Sequence, residues 1–187
     1  MLSFRGINIS YGENKILWGY DIEFEEGNIN FIMGKSGVGK TSLLRYIVNK
    51  LLSEKDISIV FQEDRLIPYI TVYKNLELVL KDKYRKAEIK VRIDSILEAF
   101  HLKEFGKYYP RELSGGMRQR VSIARAILYD GDILIMDEPF KGLDKNTKDI
   151  VTSFVKEHID KNKKTTIIVT HDIEDYKRLG GKLINMT

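Results

Sequence analysis

The sequence contains no cysteine, and this absence excludes several kinds of site at once. Without thiols the chain can form neither a disulfide framework nor a thiolate metal site, and it can hold no cysteine nucleophile. A chain without disulfides fits the cytosol, so we expect a cytoplasmic protein.

Long apolar runs are missing as well. The opening MLSFRGINIS has no apolar core of the length that a signal peptide needs, and no segment approaches the roughly 20 apolar residues of a membrane helix. We therefore expect the chain to be soluble by itself and to serve a membrane only through a partner.

The sequence also contains no signal of a domain boundary. Only 3 prolines, no internal repeat and no low-complexity linker interrupt the 187 residues, which predicts one domain over residues 1–187. The 31 Lys and Arg against 27 Asp and Glu give a net charge of +4, and the lysines are scattered. Such a balance suits polyphosphate ligands and an anionic membrane face, and we expect no nucleic-acid partner.

Strand-like and helix-like patterns alternate along most of the chain. The apolar runs Ile133–Met136 and Ile167–Val169 are typical of strands that are buried on both faces. Helical stripes lie between them, which predicts the α/β class with a mostly parallel central sheet flanked by helices. The first 27 residues, with the turns YGEN and EEGN, predict a small antiparallel β piece of two or three short strands.

A complete G-x-x-x-x-G-K-[ST] motif follows the apolar run Ile29–Met33. Its glycines let backbone N–H groups point at phosphate oxygens, while Lys40 reaches the β- and γ-phosphates and Thr41 binds Mg²⁺. The alternative is a glycine-rich turn without a ligand, but the helix predicted over roughly Lys40 to Leu52 favours phosphate. The predicted binding residues are Gly34, Lys35, Ser36, Gly37, Val38, Gly39, Lys40, Thr41 and Ser42.

Two carboxylates end the buried run DILIMDEP. At the carboxyl end of a parallel strand, Asp137 would lie beside the phosphate loop and hold Mg²⁺ directly or through water. Glu138 points to another side and could act as the general base that polarises water. Taken alone the pair could be an ordinary surface turn, but the phosphate loop favours the catalytic interpretation.

A second anion site is predicted at ELSGGMRQRVSIARAIL. Ser114 is a good N-cap for the following helix, and Gly115 and Gly116 leave its first N–H groups bare. One nucleotide does not need two such sites. The economical explanation is that the second site contacts the γ-phosphate of an ATP bound to another copy of the chain.

This segment, Leu113–Met117, resembles the signature sequence of the ATP-binding cassette family, the ATPase subunits of ABC transporters. Over nearly the whole chain the other family motifs follow in order. The resemblance assigns adenine stacking to Tyr11, Mg²⁺ and water contact to Gln62, and γ-phosphate contact to His171. It also makes Gly142-Leu143-Asp144 a loop that crosses a dimer interface.

The resemblance implies a head-to-tail homodimer that forms on ATP binding, with Mg²⁺ shared by Thr41, Gln62 and Asp137. It implies a helical signature subdomain inserted at about residues 70–125. As partners it implies integral membrane permease subunits and, through the permease, a solute-binding protein. The chain would then lie peripherally on the inner face of the cell membrane. FQEDRLIP, with SGGMRQRV and DEPFKGLD, is most similar to importers of the nitrate, sulfonate and taurine type.

Some positions depart from the family. Only 21 positions separate Thr41 from Gln62, where the family usually has extra antiparallel strands, so we expect a shortened cassette with a reduced edge sheet. The segment after His171 is also brief, which we read as a cassette without a regulatory extension. Lys141 stands where a small residue is frequent, and Met117 where glutamine is commoner.

Two alternatives stay open at this point. An ABC-type ATPase could act on nucleic acid or ribosomes, although the long coiled coils, tandem cassettes and basic arms of such proteins are not visible. A degenerate cassette could bind ATP without turnover. Lys40, Glu138 and His171 argue against degeneracy, and the missing strands argue for it. Trp18 and the arginines Arg118, Arg120 and Arg125 are interpreted as packing and solvated helix surface.

Overall fold

The structure, a computed structural model, describes all of residues 1–187 and contains seven strands and six α-helices. The strands are β1 Leu2–Tyr11, β2 Asn14–Phe24, β3 Ile29–Gly34, β4 Ile57–Val60, β5 Ile133–Asp137, β6 Thr165–Val169 and β7 Lys182–Met186. The helices are α1 Lys40–Leu51, α2 Val72–Glu77, α3 Lys86–Ala99, α4 Gly115–Tyr129, α5 Lys145–Asn162 and α6 Ile173–Leu179. No helix is both long enough and apolar enough to cross a membrane.

Five strands form the central sheet in the order β4-β5-β6-β3-β7. The pairs β3 with β6, β3 with β7 and β5 with β6 are all parallel. Every residue of β5 and β6 is buried, because both faces of these inner strands are covered. The predicted α/β class with a mostly parallel sheet is thereby confirmed.

The antiparallel piece is a single hairpin of β1 and β2. Its strands are longer than the sequence suggested, because three irregularities in register break the alternation of apolar residues. Gly6 and Gly19 have φ near +60°, and their N–H groups are taken by the side chains of Asp21 and Asn8. A strand with such bulges shows no regular period of two in its sequence, and only part of β2 was therefore predicted.

The contact pattern divides the chain into two compact units. The first comprises residues 1–59, 131–138 and 159–187 and contains the apolar core on which β1 and β2 pack, centred on Phe24, Ile32 and Ile47. The second comprises residues 60–130 and 139–158 and contains α2, α3 and α4. The prediction of one domain with a helical insertion at about residues 70–125 stays a prediction.

The connection between α1 and β4 is as short as the sequence indicated, with only residues 52–56 between the two elements. The chain on either side of this connection packs closely against the residues just before β5. Gly131 donates its N–H to Ser58 Oγ at 2.9 Å, and a Cβ at Gly131 would lie 2.7 Å from the carbonyl oxygen of Asp56. No strand is inserted here, and the antiparallel sheet has two strands.

A substitution at Gly181, directly before β7, tests how tightly the chain packs against β3 at this point. Its φ is +124°, and an added Cβ would overlap the carbonyl oxygen of Ile29. We expect Gly181→Ala to lower the free energy of unfolding by about 3 kcal/mol or more, since neither backbone can yield cheaply. The matched control is Gly180→Ala, where φ is +68° and ψ is 179° but nothing lies within 4 Å, so that only the backbone strain of about 1–3 kcal/mol is expected. Urea unfolding compares the two, and equal losses would contradict the packing argument.

Candidate nucleotide site

The phosphate loop joins the end of β3 to the start of α1 in the first unit. Gly34 has no room for a side chain, because a Cβ would lie 2.5 Å from the carbonyl oxygen of Met186. Gly37 and Gly39 adopt left-handed conformations, with φ of 83° and 102°. Gly39 is the N-cap of α1, and no side chain bonds the first N–H groups of that helix. These free donors and the helix dipole favour an anion at this place.

Lys40 extends across the mouth of its own loop. Its Nζ donates to the carbonyl oxygens of Gly34 at 2.7 Å and Lys35 at 2.8 Å. A lysine ammonium carries three N–H bonds, so one remains for a ligand. The loop therefore holds a positive charge in the position that a phosphate chain requires.

Thr41 and Asp137 meet where the first turn of α1 faces the end of β5. The Thr41 hydroxyl donates to Asp137 Oδ2 at 3.0 Å, while the buried Oδ1 has no hydrogen-bond partner. Burial raises the pKa of the Asp137 carboxyl, and the Thr41 hydrogen bond only partly opposes this effect. A buried carboxylate oxygen without a hydrogen-bond partner could be satisfied by a bound cation.

The donor set of this pair fits Mg²⁺. A carboxylate and a hydroxyl oxygen are hard ligands, and Mg²⁺ is usually held by one or two protein groups together with phosphates and waters. No group of three or more His, Cys, Asp or Glu could hold a metal by itself. An ion at Thr41 and Asp137 would therefore depend on the nucleotide for further ligands.

Glu138 and His171 contact each other at the same edge of the sheet. His171 Nδ1 lies 2.7 Å from Glu138 Oε1, and because the carboxylate can only accept, we place the proton on Nδ1. The Glu138 side chain is 13% exposed, whereas that of His171 is 62% exposed. Glu138 adopts φ of +49°, an uncommon conformation for a non-glycine residue, while its N–H bonds the carbonyl oxygen of Val169 at 2.8 Å.

The position of His171 is fixed by neighbours that the sequence reading did not single out. Thr170 is buried and donates its hydroxyl to Asp175 Oδ2 at 2.8 Å, while Asp172 N donates back to the same hydroxyl at 3.1 Å. Asp172 is the N-cap of α6. The signal in the sequence was the pattern T-H-D before a short helix, in which Asp172 and Asp175 both have local bonding roles.

Tyr11 ends β1 beside the first turn of α1. Its ring is 54% exposed, and its hydroxyl lies 3.4 Å from Ser42 Oγ. The hydrogen bond with Ser42 lowers the pKa of Tyr11, and the nearby Arg45 adds to this effect. An exposed ring anchored by its hydroxyl offers a flat apolar face for a base.

The signature segment lies in the second unit. As predicted, Ser114 caps α4 by accepting the N–H of Met117 at 3.2 Å. The loop before α5 packs beside it, since a Cβ at Gly116 would lie 3.5 Å from the carbonyl oxygen of Gly142. Asp144 Oδ1 accepts the N–H of Thr147 at 3.0 Å. Hydrogen bonds from the side chain and from the N–H of Thr147 lower the pKa of Asp144.

The structure thus gathers most of the predicted residues into two groups. The first unit brings together Tyr11, the loop Gly34–Ser42, Asp137, Glu138 and His171. The second unit carries Ser114, Gly115, Gly116 and Asp144, and also Gln62, which is exposed and follows β4 by two residues. The ligand roles assigned to all these residues stay predictions.

The arginines of α4, which the sequence pattern left as packing and solvated helix surface, have defined partners in the structure. Arg118 forms an ion pair with Asp64, Arg120 donates to the carbonyl oxygen of Phe100 at 2.6 Å, and Arg125 donates to that of Arg65 at 3.1 Å. Their partners lie 20 to 60 positions away in the chain, and helical periodicity does not identify such contacts.

These features define a nucleotide-hydrolysing cassette, and comparison with known proteins gives its family. The model of the ABC transporter family matches residues 17–141, so the chain belongs to this family, and it is an ATPase of the ATP-binding cassette type. The family that the sequence motifs predicted is confirmed.

Individual relatives and solved structures are similar to different extents. The aliphatic sulfonates import ATP-binding protein SsuB of Bacillus subtilis is 38% identical over 91% of this chain and 72% of its own length. The Fe(3+) ions import ATP-binding protein FbpC of Fusobacterium nucleatum is 34% identical over 94% of this chain and 53% of its own. The dimeric post-hydrolysis structure of the cassette MJ0796 with ADP and Pi has a TM-score of 0.87 at 29% identity, covering 100% of this chain and 94% of that one.

The burial of Asp137 leads to a prediction about how the stability of the folded chain changes with pH. Because burial raises its pKa in the folded state, folding favours the protonated carboxyl. The stability that this preference contributes is present below the unfolded pKa of about 3.9 and is lost as the pH rises through the folded pKa. Without nucleotide at pH 7, we expect Asp137→Asn to raise the melting temperature, by about 2–4 °C for each kcal/mol gained.

This gain should shrink as the pH falls towards 4, since Asp137 is then protonated in the parent as well. Thermal unfolding in Mg²⁺-free buffer at pH 7, 5 and 4 measures it. The exposed Asp82→Asn serves as control and should change little. A variant that melts below its parent at every pH would mean that Asp137 stabilises the free protein, against our interpretation.

Proposed function

We propose that this chain is the ATP-hydrolysing subunit of an ABC importer and that ATP binding drives two copies together. The observation that carries the proposal is the Glu138 and His171 pair beside the Thr41 and Asp137 pair, at one edge of the sheet. The import functions in the names of SsuB and FbpC, and the dimeric structures of MJ0796, support the same function.

The adenine ring would stack on Tyr11, whose exposed ring stands beside the loop that receives the phosphates. The N–H groups of Gly34–Ser42 and the ammonium of Lys40 would bind the phosphate chain. Two N–H bonds of the Lys40 ammonium are already fixed to Gly34 and Lys35, which leaves the third for a phosphate oxygen. Because the side chain is already ordered, phosphate binding would cost it little further conformational entropy.

Thr41 and Asp137 would hold Mg²⁺, which supplies positive charge against the phosphates. The Thr41 hydroxyl would then turn its lone pairs towards the ion, and Asp137 would use the Oδ1 atom that lacks a partner. Ionised Asp137 would gain a counter-charge in addition to those of Lys40 and Arg45, so its pKa should fall on binding.

Glu138 would take a proton from the attacking water. Its carboxylate is fixed by the left-handed backbone and by the bond from His171 Nδ1, which leaves Oε2 for the water. His171 would turn its other ring nitrogen towards the γ-phosphate, where its exposed position gives access. Both groups act by position, because phosphoryl transfer needs alignment more than covalent chemistry.

A second copy would complete each site through Ser114, Gly115 and Gly116, with the loop around Asp144 at the interface. The capped N-terminus of α4 would supply bare N–H groups to the γ-phosphate held by the first copy. Closing and reopening of this head-to-tail dimer would move integral membrane permease subunits between two access states. The permease, served by a solute-binding protein, would hold the chain at the inner face of the membrane.

A cassette that binds ATP without turnover remains the second candidate. The short connection between α1 and β4, which leaves a two-stranded antiparallel sheet, is the observation that favours it. The contact between Glu138 and His171 favours turnover instead, since a site that only binds ATP has no use for a base held in a strained conformation.

Glu138→Gln tests the proposal directly. We expect the variant to be monomeric alone and dimeric with Mg-ATP, because it retains the binding groups but cannot take the proton from water. The solution mass from light scattering reports the change, and turnover should fall by about a hundredfold or more relative to the parent. Lys40→Ala in the same background should stay monomeric. An inactive parent, together with a variant that never dimerises, would refute the proposed function.

Tyr11→Ala tests the adenine site. Stacking on an aromatic ring contributes roughly 1–3 kcal/mol, so we expect ATP affinity to fall about tenfold or more. Tyr11→Phe should bind almost as well as the parent, since the ring remains while the Ser42 contact is lost. The matched control is Trp18→Ala, an exposed aromatic residue on the same hairpin. Titration calorimetry gives the affinities, and equal losses at Tyr11 and Trp18 would place the base elsewhere.

A further inference from the structure

The segment that follows Gln62 is bonded to the signature helix through arginine side chains. Arg118, in the first turn of α4, donates Nε to Asp64 Oδ2 at 2.8 Å and Nη1 to the carbonyl oxygen of Leu113 at 2.8 Å. One guanidinium therefore joins the residue directly before Ser114 to a residue two positions after Gln62. All these atoms lie in the second unit.

A second arginine on the same helix strengthens this link. Arg125 lies seven positions after Arg118 and thus on the same helix face. It donates to the carbonyl oxygens of Arg65 at 3.1 Å and Asp64 at 3.4 Å. Arg65 adopts φ of +43° and stacks on Phe61 with 3.8 Å between its guanidinium carbon and the ring centroid. The segment has one defined shape, and α4 holds it by its backbone.

The far end of the segment is rigid as well. The amide of Asn75, which is fully buried, accepts the N–H of Ile67 at 2.8 Å and donates to the carbonyl oxygens of Ile67, Ile70 and Thr71. Asp64 Oδ1 accepts the N–H of Leu66 at 3.3 Å, which joins the two ends. These bonds join the far end of the segment to α2, as Arg118 and Arg125 join its near end to α4.

We propose that Asp64 and Arg118 are positioning residues that fix the signature segment, Leu113–Gly116, to the chain that follows Gln62. The inference rests on the proposed function, in which Ser114–Gly116 act on the ATP that the partner copy holds. The ion pair makes the position of the signature segment depend on the chain that follows Gln62, so that the segment is placed for catalysis only while the pair is intact.

Stability alone does not explain the pair. The side chains of Arg118 and Asp64 are 35% and 29% exposed, and a pair so open to solvent contributes little to folding. Lysine could not replace Arg118, because a single ammonium group cannot reproduce the forked contacts of the guanidinium with Asp64 and Leu113.

A double-mutant cycle in the full chain tests the proposal. We expect Asp64→Asn and Arg118→Gln each to lower kcat of ATP hydrolysis about tenfold, the effect of one charge-assisted hydrogen bond, with KM for ATP changed less than about twofold. The double variant should lose no more than the worse single variant, because both changes break the same contact. Arg118→Lys should behave like Arg118→Gln, and Asp64→Glu should retain most activity.

The matched control is the exposed pair of Lys90 and Asp94 on α3, where Lys90→Gln and Asp94→Asn should leave kcat unchanged. In the Glu138→Gln background, Arg118→Gln should weaken the dimer that forms with Mg-ATP. Three results would overturn the inference while leaving the proposed function intact. The losses of the two single variants could add up in the double variant, the variants could keep the kcat of an active parent, or their kcat could fall only as their melting temperature falls. A parent without turnover whose Glu138→Gln variant stays monomeric would overturn both.

Discussion

The parallel pairing of β3, β5 and β6 is the constraint on which the site of the first unit depends. Asp137 pairs with Val169, and Val169 pairs with Ile32, two residues before Gly34. Parallel strands in register must end at the same edge of the sheet, so the phosphate loop, the two acids and His171 leave the sheet together. Backbone bonds continue the pairing for one step more, from Glu138 N to Val169 O and from Thr170 N to Ile32 O.

The same arrangement costs the free protein stability. The sheet ends bury Asp137 with one oxygen unpartnered, and they hold Glu138 in a left-handed conformation. Both features are unfavourable without a ligand, since burial disfavours the charge and L-residues avoid positive φ. Mg²⁺ bound with ATP would offset the first cost by supplying positive charge, and this offset would be part of the binding free energy that stabilises the folded chain.

Local patterns in the sequence predicted much of the fold, and contacts between distant residues account for most of what they missed. Buried strands such as β5 and β6, the phosphate loop and the Ser114 cap each have signals within a few residues. The bulges of β1 and β2 erased the alternation on which strand prediction relies. The Glu138 and His171 contact spans 33 positions, and family resemblance suggested both residues but not their bond. The pairing of Arg118 with Asp64 spans 54 positions and left no periodic signal.

The short connection after α1 bears on whether the adenine site survives without further strands. Tyr11 stands on the hairpin, so what matters is how firmly the hairpin is held against the phosphate loop. Ile16 and Leu17 of β2 pack directly on Gly39, where a Cβ would lie 2.7 Å from Ile16 Cγ2. The Ser42 hydroxyl bonds Tyr11 from the helix side. Both contacts come from β1, β2 and α1 themselves, so the missing strands remove no residue that sets the distance between the ring and the loop.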